Sequence, residues 1–139
     1  MQYIKGIDAF REGKRTAVTL GKFDGLHRGH QKLIEKICSY AGNDCVSVVC
    51  AFDMQRNCLM TKEERKKLLD GKVDYLIDYP FTGDLMTMEA ERFIQKILYE
   101  KLHAAHIVVG SDFSFGYRKR GDHQMLERYA PVSYTHLRA

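Results

Sequence analysis

Four apolar segments rich in β-branched residues recur along the chain at intervals of about 30 residues. They cover 16–20, 46–52, 73–79 and 107–110, and each is nearly continuous in hydrophobicity. Continuous apolar runs are typical of strands that are buried on both faces, as in a parallel sheet. Because parallel neighbours need long crossover connections, helices are predicted in the intervening segments.

Amphipathic patterns fill the intervals between the predicted strands. Residues 30–41 and 88–102 each carry one apolar stripe at helical spacing. Three polar residues stand where helix N-caps are expected: Thr61, Thr87 and Asp122. Glu64, three residues after Thr61, completes a capping-box pattern.

Alternating strands and helices with right-handed crossovers predict an α/β fold. The expected architecture is a Rossmann-like, doubly wound parallel sheet with helices on both faces. Ligands bind such sheets at the carboxyl ends of the strands. The loops after residues 20, 52, 79 and 109 are therefore the expected site.

Composition excludes several other protein classes. Apolar residues make up 45% and charged residues 29% of the 139 residues, which excludes a disordered chain. The longest apolar run, 48–52, is too short for a membrane helix, which needs about 20 residues. No signal-peptide pattern stands in the first twenty residues, and the four cysteines form neither a CxxC pair nor a zinc-ligand pattern. A reduced, cytoplasmic chain is expected.

The segment between the first predicted strand and the first predicted helix is the most informative. It reads GKFDGLHRGH over 21–30, with three glycines and two histidines. A helix N-terminus presents unpaired N–H groups and a positive dipole end, which favour phosphate. His27 in the loop and His30 in the first turn can both donate to one phosphoryl group and stabilise its developing charge. Half of a metal site, or a surface turn, is the alternative interpretation.

The same segment resembles the GxFDGxHxGH signature of bacterial FAD synthetases, which belong to the HxGH nucleotidyltransferase superfamily. A second segment, VGSDFSFG over 109–116, followed by Gly121 and Asp122, resembles the VGxDFxFG…GD segment of that family. The resemblance extends from about residue 3 to residue 130. It implies an FMN adenylyltransferase, which transfers AMP from ATP to FMN in the presence of Mg²⁺ and yields FAD and pyrophosphate.

The resemblance also implies roles for individual residues. The ATP site is expected to contain Gly21, Phe23, Asp24, Gly25, His27, Gly29 and His30, with His27 and His30 as the catalytic residues. The expected flavin-binding residues are Asp112, Phe113 and Phe115. The candidates for a phosphate-covering loop are Arg118, Lys119 and Arg120. No protein metal ligand is expected, because Mg²⁺ takes phosphate oxygens readily.

Each of these roles has a structural alternative. Phe113 and Phe115 alternate along an extended segment and can present one aromatic face to a flavin, but core packing is the other interpretation. Asp112 is also a common turn former after a strand. The three basic residues at 118–120 equally suit a solvated turn.

Two features depart from the family pattern. Residues 53–57 read DMQRN where the family usually carries a Pro/His-containing segment that contributes to flavin binding. The family also continues into another strand, an ISSTxIR segment and a riboflavin kinase domain. Here 132–138 mimics that segment only superficially, about 20 residues too early, and resembles translated adapter sequence. The predicted organisation is an incomplete adenylyltransferase domain over 1–131, a non-native tail over 132–139, an uncovered sheet edge and no kinase domain.

Two other functions stay open at this point. One is an HxGH nucleotidyltransferase with a different phosphorylated acceptor, and the other is an inactive fragment that binds a nucleotide or a flavin. Nucleic-acid binding is not expected, because the net charge of +4 is dispersed and no RNA- or DNA-binding motif is present. A membrane partner is not expected either.

Overall fold

The computed structural model of the chain describes residues 1–23, 28–42, 44–53, 61–110, 114–116, 121–129 and 133–137. For 28–29, 53, 114–115, 123, 129 and 133–137 it describes the backbone alone. The strands of the described residues are β1 (Gln2–Lys5), β2 (Arg15–Gly21), β3 (Cys45–Asp53), β4 (Tyr75–Pro80), β5 (Ala104–Gly110), β6 (Ser114–Phe115), β7 (Gly121–Asp122) and β8 (Ser133–Leu137).

The helices alternate with the strands. They are α1 (Arg28–Tyr40), α2 (Lys62–Leu69), α3 (Asp84–Thr87), α4 (Ala90–Arg92) and α5 (His123–Tyr129). A 3₁₀ turn covers Ile7–Ala9, and α4 continues directly into a π-helical segment, Phe93–Lys101.

Six strands form one parallel sheet in the order β1-β4-β3-β2-β5-β8, and β6 and β7 form a short antiparallel hairpin. All four strands predicted from the apolar runs are present. They are buried on both faces, as the continuous hydrophobicity indicates. Val18, Val48, Ile77 and Ile107 lie in the core on one face, and Ala17, Val49, Leu76 and Val108 lie in the core on the other. The doubly wound α/β fold is confirmed.

The two edge strands were not predicted. β1 is short and half-exposed, and β8 reads SYTHL with no two apolar residues adjacent, so neither forms a continuous apolar run. β8 pairs with β5 in parallel, with Val108 opposite Thr135. The sheet edge that was expected to lack a neighbour is thus covered by a strand drawn from 132–139. The domain boundary at residue 131 stays a prediction.

Two of the three predicted helix caps are confirmed. The Thr61 hydroxyl oxygen accepts from the Glu64 amide at 3.1 Å, and the Thr61 amide donates to Glu64 Oε1 at 3.4 Å. The Met125 amide donates to Asp122 Oδ1 at 3.0 Å. Thr87 is not an N-cap: it ends α3, because Met88 and Glu89 take extended dihedrals before α4 begins.

The crossovers place helices on both faces of the sheet. Leu33, Ile34 and Ile37 of α1 pack with Leu69 of α2 on one face. The other face packs against the π-helical segment and α5, through Phe93, Ile94, Ile97, Leu98 and Leu126. Cys50 is fully buried in this second cluster, and burial, aided by the charge of Asp78, raises the pKa of its thiol to about 12. The strand order reverses between β2 and β5.

A stacked histidine joins β5 to α1. The rings of His106 and Tyr40 are parallel within 3°, with centroids 3.8 Å apart. The Lys36 ammonium lies 5.3 Å from the Tyr40 ring centroid. Burial lowers the pKa of His106, and the nearby Arg15 charge lowers it further. The folded chain therefore favours the neutral imidazole more strongly than the unfolded chain does.

Acidification is expected to destabilise the fold through His106. Between the ordinary pKa of 6.5 and the lower folded value, the unfolded chain binds a proton that the folded chain does not. Stability is therefore full above about pH 6.5 and falls as the pH drops below it. His106→Phe keeps a stacking ring and is expected to flatten this dependence in urea unfolding at pH 7.5 and 5.5. His103 is an exposed histidine near His106, so His103→Asn is the control variant. If the stability of His106→Phe depended on pH as steeply as that of the unmodified chain, the prediction would be contradicted.

Candidate functional site

The two motifs found in the sequence meet at the carboxyl edge of the sheet. β2 ends at Gly21, the first residue of GKFDGLHRGH, and β5 ends at Gly110, within VGSDFSFG. These strands are paired neighbours, and their last pair, Thr19 and Val108, lies two residues before the two glycines. The strand order reverses between them, and open α/β sheets bind ligands in the crevice at such a switch. Both motifs therefore begin at this crevice.

Phe23 anchors the loop after β2. Its ring is 1% exposed and lies over Gly21, where an added Cβ would stand 3.2 Å from Phe23 Cε2. Its backbone adopts a left-handed conformation with φ of 50°, which costs an L-residue about 1–2 kcal/mol. The predicted ATP-site residues Gly21 and Phe23 therefore form one packed unit, in which the glycine makes room for the ring.

His30 lies in the first turn of α1, against Phe23. The two ring centroids are 4.9 Å apart and the ring planes meet at 38°. The imidazole is half-buried. The first turn of α1 contains no acidic residue, so no carboxylate of that turn opposes an anion at this helix end.

The hairpin β6–β7 carries the second motif to the same edge from the other face. Ser114 pairs with Asp122 and Phe115 with Gly121. Gly116, at φ of 81°, approaches α4 so closely that an added Cβ would lie 2.8 Å from the Cα of Ala90. Since Ala90 belongs to the cluster opposite Phe23, the two motifs flank the switch from opposite faces of the sheet.

The remaining predicted residues divide into two groups. The first group is described by its backbone: Gly29 belongs to α1 and Phe115 to β6. The others lie outside the described residues: Asp24, Gly25, His27, Asp112, Phe113, Arg118, Lys119 and Arg120. The departing segment at 54–57 also lies outside them. Their roles stay predictions.

A buried polar cluster beside the site was missed by sequence reasoning. Asp78, near the end of β4, is fully buried, and its Oδ2 accepts from the Tyr3 hydroxyl at 2.6 Å. Lys62 Nζ, in the first turn of α2, lies 3.3 Å from the same oxygen. Burial and the Asp78 carboxylate together raise the pKa of Tyr3 to about 12. The available signal was an acidic residue, Asp78, next to the apolar stretch 75–77 of the predicted strand.

Arg65 was missed as well. It is 5% exposed, and its Nε donates to the carbonyl oxygen of Phe23 at 3.2 Å. The signal in the sequence was its spacing, because Arg65 stands one helical turn before the buried Leu69 and so shares its face.

Metal-binding clusters and membrane helices are both absent from the described part of the chain. Over the ranges that the structure describes, no three His, Cys, Asp or Glu side chains are grouped to hold a metal ion. In the same ranges no helix has the length and apolar character needed to cross a membrane.

Solved structures share the fold. A Streptococcus pneumoniae protein described as a macrolide-efflux protein matches with a TM-score of 0.85 and 23% identity, over 99% of this chain and 50% of that chain. At this identity the likeness shows the fold alone.

Curated relatives share the sequence. The bifunctional riboflavin kinase/FMN adenylyltransferase of Buchnera aphidicola subsp. Schizaphis graminum is 31% identical over 140 residues. The protein of the same name from Pseudomonas fluorescens is 32% identical over 140 residues. Both alignments cover 91% of this chain and 45% of the relative, so the chain spans about half the length of these relatives. The FAD synthetase family model matches residues 10–137. Since this match includes both motifs and nearly all of the sheet, the chain belongs to the FAD synthetase family.

Proposed function

We propose that this chain transfers AMP from ATP to FMN, giving FAD and pyrophosphate. The observation that carries the proposal is the meeting of the two family motifs at the ends of the paired strands β2 and β5. Family membership and the names of the curated relatives support the same activity. Those names pair it with a riboflavin kinase, and such an activity is the proposed source of the FMN. The proposed compartment is the cytoplasm, which supplies ATP.

The proposed reaction is a single displacement at phosphorus. An oxygen of the FMN phosphate attacks the α-phosphorus of ATP and forms the new P–O bond. The bond from that phosphorus to the α,β-bridging oxygen breaks, and pyrophosphate leaves with the electron pair. No covalent enzyme intermediate is needed. ATP enters as its Mg²⁺ complex, in which phosphate oxygens and water supply most of the ligands.

The proposed roles follow the two motifs. The loop between β2 and α1 binds ATP through Gly21, Phe23, Asp24, Gly25 and Gly29. His27 and His30 donate N–H groups to the phosphoryl oxygens, which stabilises the charge that develops during transfer. The second motif binds the flavin through Asp112, Phe113 and Phe115, while Arg118, Lys119 and Arg120 cover phosphate. Catalysis is then mainly positioning and charge stabilisation.

The proposal is tested by incubating the chain with FMN, ATP and Mg²⁺ and separating the flavins by chromatography. FAD and pyrophosphate are expected in equal amounts, and riboflavin, which lacks the attacking phosphate, is expected to give no adenylylated product. Quenching of FMN fluorescence without FAD formation would replace the proposal with an inactive flavin-binding fragment. Adenylylation of phosphopantetheine in place of FMN would assign the chain to another branch of the superfamily.

A further inference from the structure

We propose that Arg65 of α2 positions Phe23, which follows β2, and through Phe23 the imidazole of His30. The inference rests on the proposed function, because it concerns the same nucleotide loop. Arg65 is a positioning residue in this proposal: it acts on Phe23 and does not itself touch the substrates.

The burial of Arg65 is the first observation. Arginine is almost never fully buried without a partner, because its guanidinium loses hydration. Here the side chain is 5% exposed and uses its Nε proton to bind the backbone of a residue 42 positions away. A residue that served only to cover the core would be apolar at this position, one turn before Leu69. Its retained charge and long reach indicate a specific contact.

The acceptor of this hydrogen bond is the second observation. Phe23 is one of two non-glycine residues with positive φ among the described residues. Such a conformation persists only where the surroundings over-determine it. Two contacts do so here: Arg65 holds the carbonyl oxygen, and the ring is seated over Gly21. Phe23 lies between β2 and α1, and Arg65 donates a hydrogen bond to its carbonyl oxygen from a third element, α2.

The contact of Phe23 with His30 transmits the constraint. The two rings are 4.9 Å apart at a tilt of 38°. A change in the backbone of Phe23 moves its ring, and the ring is one wall against which the His30 imidazole is packed. The order of contacts is therefore Arg65 to the Phe23 carbonyl, then the Phe23 ring to His30.

The polar cluster at Asp78 fixes the platform that carries Arg65. Lys62, one turn before Arg65 on α2, lies 3.3 Å from the buried Asp78 carboxylate. The Tyr3 hydroxyl donates to that carboxylate, and the Lys66 ammonium lies 3.8 Å from the centroid of the Tyr3 ring. These contacts hold α2 against β1 and β4 through residues on both sides of Arg65 in the helix. They therefore fix the position of Arg65 relative to the sheet.

The experiment compares Arg65→Met, Arg65→Lys and the matched control Lys67→Met, which alters an exposed residue of the same helix. For each folded variant we would measure kcat and KM for both substrates, together with the imidazole ¹H–¹³C NMR signal of His30, assigned with His30→Gln. Arg65→Met is expected to lower kcat by about 10- to 100-fold, the order of loss that a misplaced reacting group produces. It should shift the His30 signal and leave the KM for FMN within about twofold. Arg65→Lys keeps a cationic donor and is expected to restore part of kcat and part of the His30 signal position. Lys67→Met is expected to match the unmodified chain in both.

An unmoved His30 signal in the folded Arg65→Met variant would overturn the proposal, whatever its stability. If Arg65→Met does not fold, an unmoved signal and an unchanged kcat in Arg65→Lys would overturn it equally. The NMR readout does not depend on catalysis. A chain that makes no FAD but whose His30 signal still responds to Arg65 would contradict the proposed function and support the positioning role.

Discussion

His30→Ala is expected to lower the rate of FAD formation by about 10²- to 10³-fold, the usual cost of removing one donor that stabilises transition-state charge. The physical reason is the placement of the imidazole in the first turn of α1, at the crevice between β2 and β5. Its N–H would donate a hydrogen bond to the phosphoryl oxygens and stabilise the negative charge that builds on them during displacement. The KM for FMN is expected to change little, because Gly116 of the second motif, the motif proposed to bind the flavin, packs against α4 on the opposite face of the sheet.

Two further variants separate this role from packing, since the His30 ring also contacts Phe23. His30→Phe keeps an aromatic ring but no donor, and it is expected to be as slow as His30→Ala. His30→Gln keeps an N–H donor and is expected to retain intermediate activity. His27→Ala is expected to cause a loss similar to that of His30→Ala. The rates are followed by single-turnover formation of FAD, with the distant His103→Asn as the control. An active His30→Phe variant would contradict a catalytic role for His30.

Gly116→Ala is expected to destabilise the fold by about 2–5 kcal/mol, the sum of left-handed strain and overpacking. The added Cβ would lie 2.8 Å from the Cα and 2.9 Å from the amide nitrogen of Ala90. Both atoms are backbone, so no rotamer change relieves the contact, and the hairpin β6–β7 or α4 has to move. If the second motif binds the flavin as proposed, the KM for FMN rises more than that for ATP.

A second glycine provides a matched control for this substitution. Gly71 has the same φ of 81° but nothing within 4 Å of an added Cβ. Gly71→Ala therefore carries the conformational strain alone, about 1–2 kcal/mol. The difference between the two variants in urea unfolding measures the close approach of the hairpin to α4. Equal destabilisation of both would show that Gly116 is required only for its backbone conformation.

Local patterns predicted most of the regular structure, and the exceptions have physical reasons. The continuous apolar runs predicted β2, β3, β4 and β5, because burial on both faces demands such composition. The capping box at Thr61 was found because both of its bonds form within four residues. β1 and β8 were not predicted because neither contains more than two adjacent apolar residues.

The two motifs of the candidate site were predicted from the sequence, but the buried residues that hold the site in place, Arg65 and Asp78, were not. GKFDGLHRGH and VGSDFSFG are each contiguous in the chain, so both motifs are recognisable in the sequence alone. Arg65 and Asp78 act on partners 42 and 75 positions away, and no local pattern records such a pairing. The left-handed backbone of Phe23 was equally invisible, because aromatic residues rarely adopt it and only the surrounding packing enforces it.

By itself, the sequence determined four strand-forming segments, two of the helix starts and the two motifs, because these depend on residues within a few positions of one another. The tertiary structure alone decided that β2 and β5 are neighbours, that the motifs approach their junction from opposite faces, and that a buried arginine contacts the loop between β2 and α1. The reason is that strand order follows from how the crossover helices pack across the whole sheet. Contacts of that range are settled only when the chain is folded.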